Sequence, residues 1–370
     1  RECAGSRETA EDTARWELFD QTIDAHSGVS VSPETWVQAL SSDIRPSEVK
    51  EAIDSTHGDV SPSPDDGVVY SALKHGGPPL WRLLALIFTV VIELGAVPRA
   101  WSCGFIRWLF KGKGSKLDPS NFRGITLTSC IGKTFERVLH RRLVRWSRFI
   151  GAIPLVQSVS QAKGGVLEQI GTLADIIALR AAQLKCTWVL TVDLKGAFPS
   201  ASRLFLWRRL RQLGLGGAIL RVLMELFTND ACVGGLQGGR FSKRVLREMG
   251  VPEGFVLSPF LFALAISGLV PALVATGVGV KIAQEFAAAL FYVDDVALLA
   301  DSFEELQMLL RVTVEWCYHN RFTIHPDKFE AIVAGHDARN AAALYSSRFS
   351  CNFVFDNGAP DFNLDIKIGD

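Results

Sequence analysis

No two cysteines in this 370-residue chain are spaced as C-x-x-C, and none clusters with histidine. Its seven cysteines stand singly at positions 3, 103, 130, 186, 232, 317 and 351. That argues against both a zinc site and a disulfide framework, and fits a reducing compartment. The start shows no signal-peptide pattern, and the chain has no internal repeat. It opens on Arg1 rather than Met, which reads as a fragment or processed piece. Net charge is also absent, with 39 Lys and Arg against 39 Asp and Glu. The zero is a sum of unlike parts. Residues 1–66 hold 15 acids and 5 Lys/Arg, whereas residues 99–148 hold 12 Lys/Arg and 2 acids. Arg141, Arg142, Arg145 and Arg148 alone would fit a solvated helix face. The whole imbalance fits a lobe that neutralises phosphates better, and favours a polyanion partner.

Charge is missing altogether from 254 to 280, a run long enough to span a bilayer. Pro259 and Pro271 interrupt it and several glycines weaken it, so it reads as a buried helix. The apolar run 83–97 is short and contains Glu93. With 48% hydrophobic residues the chain can build a large core, in two or three domains or one multi-lobed one.

What is present centres on acid. Asp294-Asp295 sits between the apolar runs Ala289-Leu290-Phe291-Tyr292-Val293 and Val296-Ala297-Leu298-Leu299, as at the tip of a hairpin. Asp193 ends a second apolar strand, Trp188-Val189-Leu190-Thr191-Val192. Alone, an Asp-Asp pair fits an ordinary turn. Two strands delivering carboxylates to one point meet the requirement of two-metal nucleotidyl transfer. Around them the pattern predicts a helix over 79–95, a strand over 103–110 and a basic turn over 111–116. It predicts helices over 130–149 (with basic residues on its polar face), 165–184, 202–213, 216–228, 258–270 and 302–320. Strands follow over 186–193 and 331–334, with hairpins over 231–247 and 286–300. Residues 61–67 are a loop by composition.

Several motifs in one order resemble the reverse transcriptase domain of non-LTR (LINE-type) retrotransposons, over roughly residues 45–335. They are Asp118-Pro119-Ser120-Asn121-Phe122-Arg123-Gly124-Ile125, Gly132-Lys133-Thr134-Phe135-Glu136-Arg137, Val192-Asp193-Leu194-Lys195-Gly196-Ala197-Phe198, Gly250-Val251-Pro252-Glu253-Gly254-Phe255, Tyr292-Val293-Asp294-Asp295, and Ile324-His325-Pro326-Asp327-Lys328. The resemblance implies an α+β right-hand polymerase fold: an antiparallel palm sheet packed on helices, a helical and β fingers lobe, and a thumb largely absent. It divides the chain into a polar lead-in (1–44), fingers (45–185), palm (186–335) and a remnant leading toward a thumb (336–370).

It further implies RNA-directed DNA synthesis from dNTPs on an RNA template and DNA primer. Asp193 and Asp294 would bridge two Mg²⁺ ions (Mn²⁺ as a substitute), with Asp295 in support. Lys111, Lys113 and Arg123 would grip the triphosphate, and Phe198 would oppose a ribose 2′-hydroxyl. Gly254 would let backbone approach the nascent pair, and Ser258 would begin the helix beneath the template. Lys328 would act as general acid, or is a surface lysine after a turn. No membrane is implied, residence would be nuclear, and the oligomeric state stays open. Four positions depart from the family pattern: Gly124 for Pro, Pro199 for an acid, Glu253 for Gln and Phe255 for a small residue. An ionised Glu cannot donate a hydrogen bond as Gln does. The departures leave open a remnant that binds nucleic acid without catalysis.

Overall fold

The computed structural model describes residues 33–56, 66–158, 165–228, 231–236, 240–242, 245–247, 249–282, 285–325, 328–336, 338, 348–353 and 362–369. The lead-in over 1–30 and most of the loop over 61–67 lie outside them. The helices are α1 (Pro33–Leu40), α2 (Pro46–Asp54), α3 (Tyr70–His75), α4 (Gly77–Leu94), α5 (Arg99–Ser102), α6 (Cys130–Phe149), α7 (Val166–Ala182), α8 (Ala197–Ser200), α9 (Arg203–Gln212), α10 (Gly217–Thr228), α11 (Ser258–Ile266), α12 (Leu269–Val274) and α13 (Phe303–His319). The strands are β1 (Gly104–Phe110), β2 (Phe122–Leu127), β3 (Cys186–Val192), β4 (Ala231–Leu236), β5 (Arg240–Phe241), β6 (Val245–Leu246), β7 (Val280–Ile282), β8 (Glu285–Ala287), β9 (Ala289–Tyr292), β10 (Asp295–Ala300), β11 (Glu330–Gly335), β12 (Arg348–Phe353) and β13 (Phe362–Gly369). They form two compact units: Arg1–Ala152 with Trp207–Ser258, and Ile153–Leu206 with Pro259–Asp370.

The first unit is built on α6. Ser129 caps its N-terminus by accepting from Gly132 N–H at 3.4 Å. A Cβ on Gly132 would stand 2.8 Å from Trp101 Cβ, so glycine lets α5 approach. Phe88, Trp101 and Phe135 then pack with ring centroids 5.1–5.6 Å apart. The basic residues of α6 do not all lie on its polar face, as the sequence predicts. Arg142 is buried, with 1% of its side chain exposed. Its five N–H groups go to Glu48 Oε1 and Oε2 (both 2.8 Å) and to the carbonyls of Leu40, Ser42 and Asp43 (2.7–3.1 Å). A planar fork with five donors suits that ring of acceptors, and the carbonyl-rich exit from α1 provides it. Burial raises the Glu48 carboxyl, but Arg142 and Arg45 outweigh it and hold it below its ordinary value. In the same unit β1 pairs antiparallel with β2 and parallel with β4.

In the second unit a six-stranded sheet runs in the order β12-β13-β11-β3-β10-β9. Its centre is antiparallel: β3 pairs β10 on one side and β11 on the other. Both faces of β3 are covered, which explains its unbroken apolar run. Val189 and Leu299 pack with Ile176 of α7. Trp188, on the opposite face, meets Phe303 of α13 at 5.6 Å. Ser302 and Glu305 cap α13 reciprocally, at 3.2 Å to Glu305 N–H and 3.0 Å to Asp301 N–H.

One expectation is revised here, and two further stretches take their place in the second unit. The helix predicted over 258–270 stops at Ile266 and restarts at Leu269. Pro271 has no N–H to give and its ring would strike the preceding turn, so it sits in the first turn of a new helix. Residues 260–266 are almost wholly buried, as a packed helix requires. The stretch 153–185, expected with the fingers, belongs to the second unit, where α7 lies on β3, β9 and β11. Residues 348–353 and 362–369, expected as a remnant, add two strands to the sheet through the parallel pairing of β13 with β11. Among the described residues, α4 is long and apolar enough to cross a membrane, by length and composition only.

Removing one partner of a buried ion pair leaves the other charge uncompensated. Arg142→Ala is therefore expected to destabilise the chain by about 3–5 kcal/mol in chemical denaturation. Replacing both partners, as Arg142→Met with Glu48→Leu, is expected to cost much less. A loss below about 1 kcal/mol for the single variant would show that the pair is not buried as described.

Candidate active site

The register of β3 and β10 sets Val192 opposite Val296. The next position along therefore sets Asp193 opposite Asp295. The turn between β9 and β10 has two residues, Val293 and Asp294, flanked by the pair Tyr292–Asp295. Val293 takes φ +57°. A β-branched side chain is strongly disfavoured there, so the tip is strained and needs support. Asp294, half-buried, is the second turn residue. Extending the register by one step brings Asp295 across from Asp193, with Asp294 beside it at the tip. Among the described residues no group of three His, Cys, Asp or Glu is arranged to hold a metal ion.

Asp193 is fixed from its other side. Its carbonyl accepts from His325 N–H at 2.9 Å, and Lys195 N–H donates to Thr323 at 2.7 Å. That short pairing brings the chain round so that Lys328 forms an ion pair with Asp193 Oδ2. Partial burial raises the Asp295 carboxyl, the charge of Asp193 raises it further, and Lys328 opposes both. Two hard oxygen donors that repel each other, one already bound to an ammonium, suit a divalent cation. Asp193, Asp294 and Asp295 are the residues that would hold it. Phe198, in α8 five residues past Asp193, is half-buried and stacks on Phe262 with centroids 5.2 Å apart.

The remaining predicted site residues lie in the first unit. Lys111 and Lys113 are exposed beyond the end of β1, and Lys111 Nζ donates to the Ser120 carbonyl at 2.9 Å. Arg123 on β2 is 63% exposed at its side chain and stands 3.5 Å from Glu253 Oε2, a loose ion pair. Burial raises the Glu253 carboxyl against the pull of Arg123, Lys111 and Arg247. Gly254 has φ +109°, and a Cβ there would lie 2.4 Å from the Thr126 carbonyl oxygen. Its close neighbour is thus the backbone of β2, reinforced by Thr126 N–H donating to Glu253 at 2.6 Å. Ser258 begins α11 fully buried, and its Oγ has no hydrogen-bond partner among the described residues.

Two residues without a role in the sequence reading shape these loops. Glu136, fully buried on α6, accepts from Leu257 N–H at 3.1 Å. It thereby fixes the segment that leads from Gly254 to Ser258. It lies inside a quoted motif, but nothing in the string names its partner. Gln157, also fully buried, bonds to Val293 at the strained tip. A single glutamine 136 residues away leaves no pattern to read.

The family model described as "Reverse transcriptase (RNA-dependent DNA polymerase)" matches residues 111–349. The chain is 27% identical over 209 residues to a retrovirus-related Pol polyprotein from type-1 retrotransposable element R2 of Popillia japonica, covering 56% of this chain and 29% of that protein. It is 26% identical over 240 residues to a probable RNA-directed DNA polymerase from transposon X-element of Drosophila melanogaster, covering 61% and 25%. To the RNA-directed DNA polymerase from mobile element jockey of Drosophila funebris it is 25% identical over 252 residues, covering 66% and 27%. The chain thus spans between 25% and 29% of the length of these three relatives.

Burial, opposed by Leu257 N–H, Lys133, Val256 N–H and Arg137, pushes the Glu136 carboxyl up from 4.5 to about 7. The folded chain therefore keeps a proton that the unfolded chain gives up. The associated stability is fully present below 4.5 and is lost as pH rises through about 7. Glu136→Gln keeps an acceptor for Leu257 N–H and cannot ionise. Relative to wild type its melting temperature is expected to rise by roughly 5 °C between pH 5 and pH 8. A difference that stays flat with pH would contradict the burial of this carboxyl.

Proposed function

The chain belongs to the reverse transcriptase family, and we propose that it is the RNA-directed DNA polymerase domain of a non-LTR retroelement, extending a DNA primer on an RNA template with dNTPs. The observation that supports this reading is the β3–β10 pairing, whose register ends at Val192–Val296, one step before Asp193 and the Asp294–Asp295 tip. Magnesium, when bound by these carboxylates, supplies the positive charge that makes a 3′-hydroxyl nucleophilic and offsets charge on phosphorus.

The chain's own groups have separate tasks. Asp193 and Asp294 give the bridging hard oxygen ligands, and Asp295 supports them. Lys328 Nζ stands beside Asp193, where an ammonium can donate to a departing pyrophosphate. Phe198, braced by Phe262, presents a ring edge against a 2′-hydroxyl and so selects deoxynucleotides. In the first unit Lys111, Lys113 and Arg123 are the phosphate contacts, exposed as such contacts need to be. Nuclear residence, where a retroelement meets chromosomal DNA, is part of the same proposal.

One feature favours a second reading, a nucleic-acid-binding remnant: Arg123 is already paired with Glu253, where the family pattern has glutamine. Primer extension on an RNA template with Mg²⁺ separates the two. Wild type is expected to extend the primer. Asp193→Asn, Asp295→Asn and Asp294→Ala are each expected to lose roughly a thousandfold, about 4 kcal/mol of charge stabilisation. Activity that survives these substitutions would reject the site, and RNA binding without extension by wild type would favour the remnant. Phe198→Ala is expected to raise ribonucleotide incorporation relative to deoxynucleotide by roughly 10- to 100-fold. Unchanged selectivity would reduce Phe198 to a packing residue.

A further inference from the structure

We infer that Gln157 is a positioning residue that clamps the turn bearing Asp294 and Asp295. The turn creates the need. Val293 is its first residue, at φ +57°, and the strand ladder stops at the pair Tyr292–Asp295. Its N–H and C=O therefore need partners other than a neighbouring strand. Gln157 meets both. Its Oε1 accepts from Val293 N–H at 3.0 Å, and its Nε2 donates to the Val293 carbonyl at 3.3 Å. A neutral side-chain amide can accept and donate at once, as a backbone peptide does, so it substitutes for a strand. Aspartate or glutamate, when ionised, lacks the donor; lysine and arginine lack the acceptor.

The clamp is itself anchored. Phe291 N–H donates to the Val156 carbonyl at 2.8 Å, and Ser158 N–H donates to the Phe291 carbonyl at 3.2 Å. These bonds lay residues 156–158 along β9 as a short parallel partner. From α7, Gln169 Nε2 donates to both the Val156 and Phe291 carbonyls at 3.0 Å. Gln157 is fully buried, so the two bonds to Val293 form away from competing water. The consequence is geometric: the backbone just before both acidic residues is held on a rigid support.

The catalytic consequence rests on the polymerase reading above, whereas the clamp can be tested without it. Amide hydrogen exchange at Val293, measured by NMR on the metal-free chain, reads it directly. In wild type this amide is expected to be protected. Gln157→Met keeps the side-chain volume and removes both bonds. It is expected to speed exchange at Val293 by roughly tenfold or more while β3 and β10 amides keep their rates. In primer extension the same variant is expected to lower kcat by roughly 10- to 100-fold and to change KM for dNTP less than about threefold. Gln157→Glu retains the acceptor and is expected to slow Val293 exchange back toward wild type. An unprotected Val293 amide in wild type would overturn the clamp, as would a methionine variant with unchanged exchange and kcat. A protected amide in a wild-type chain that extends no primer would support the clamp and remove the polymerase reading instead.

Discussion

The site depends on one pairing, the antiparallel ladder between β3 and β10. Two strands from distant parts of the chain, each apolar and sandwiched between helices, lock in the register Val192–Val296. A slip of one residue would turn Val189 and Leu299 away from α7 and would misplace the acid opposite Asp193. Burial of the apolar faces therefore does chemical positioning. The hydrophobic effect, which has no direction of its own, fixes a carboxylate pair that electrostatics would drive apart.

Balance of charge governs the first unit. The acidic run over 1–66 and the basic run over 99–148 partly cancel by contact. Glu48 meets Arg142, and Glu51 meets Arg141 at 2.9 Å. Arg123 meets Glu253 in the same unit. Some of the basic surplus is therefore structural, and what stays open to phosphate includes the exposed residues Lys111, Lys113 and Lys116 beyond β1, with Arg99 and Arg107 nearby in the chain. Glu253 is less awkward than its sequence suggests. Burial weakens its tendency to ionise, and three cations temper what charge remains.

Local pattern made much of this legible. The apolar run before Asp193 and the paired aspartates between two apolar runs announced β3 and the β9–β10 hairpin. The helix at Cys130–Phe149 was plain from its amphipathic pattern. What stayed hidden depends on partners remote in sequence. Arginine at 142 looks like any helix-surface arginine until the carbonyls at the end of α1 are known. Gly254 reads as making room for a ligand, and nothing in the string shows that the Thr126 carbonyl lies beside it. Gln157 has no periodic or motif signal, because its function is to bond one backbone unit 136 residues away. The strands β12 and β13 escaped because pairing with β11 is a tertiary choice rather than a local propensity.

Anomalous diffraction from crystals of the chain grown with Mn²⁺ tests the central claim most directly. The expected map has a manganese peak bonded to carboxylate oxygens of Asp193 and of the Asp294–Asp295 tip, with Val192 and Val296 still paired beneath. Manganese bound elsewhere, or Asp193 and the acidic tip on strands that do not pair, would contradict it.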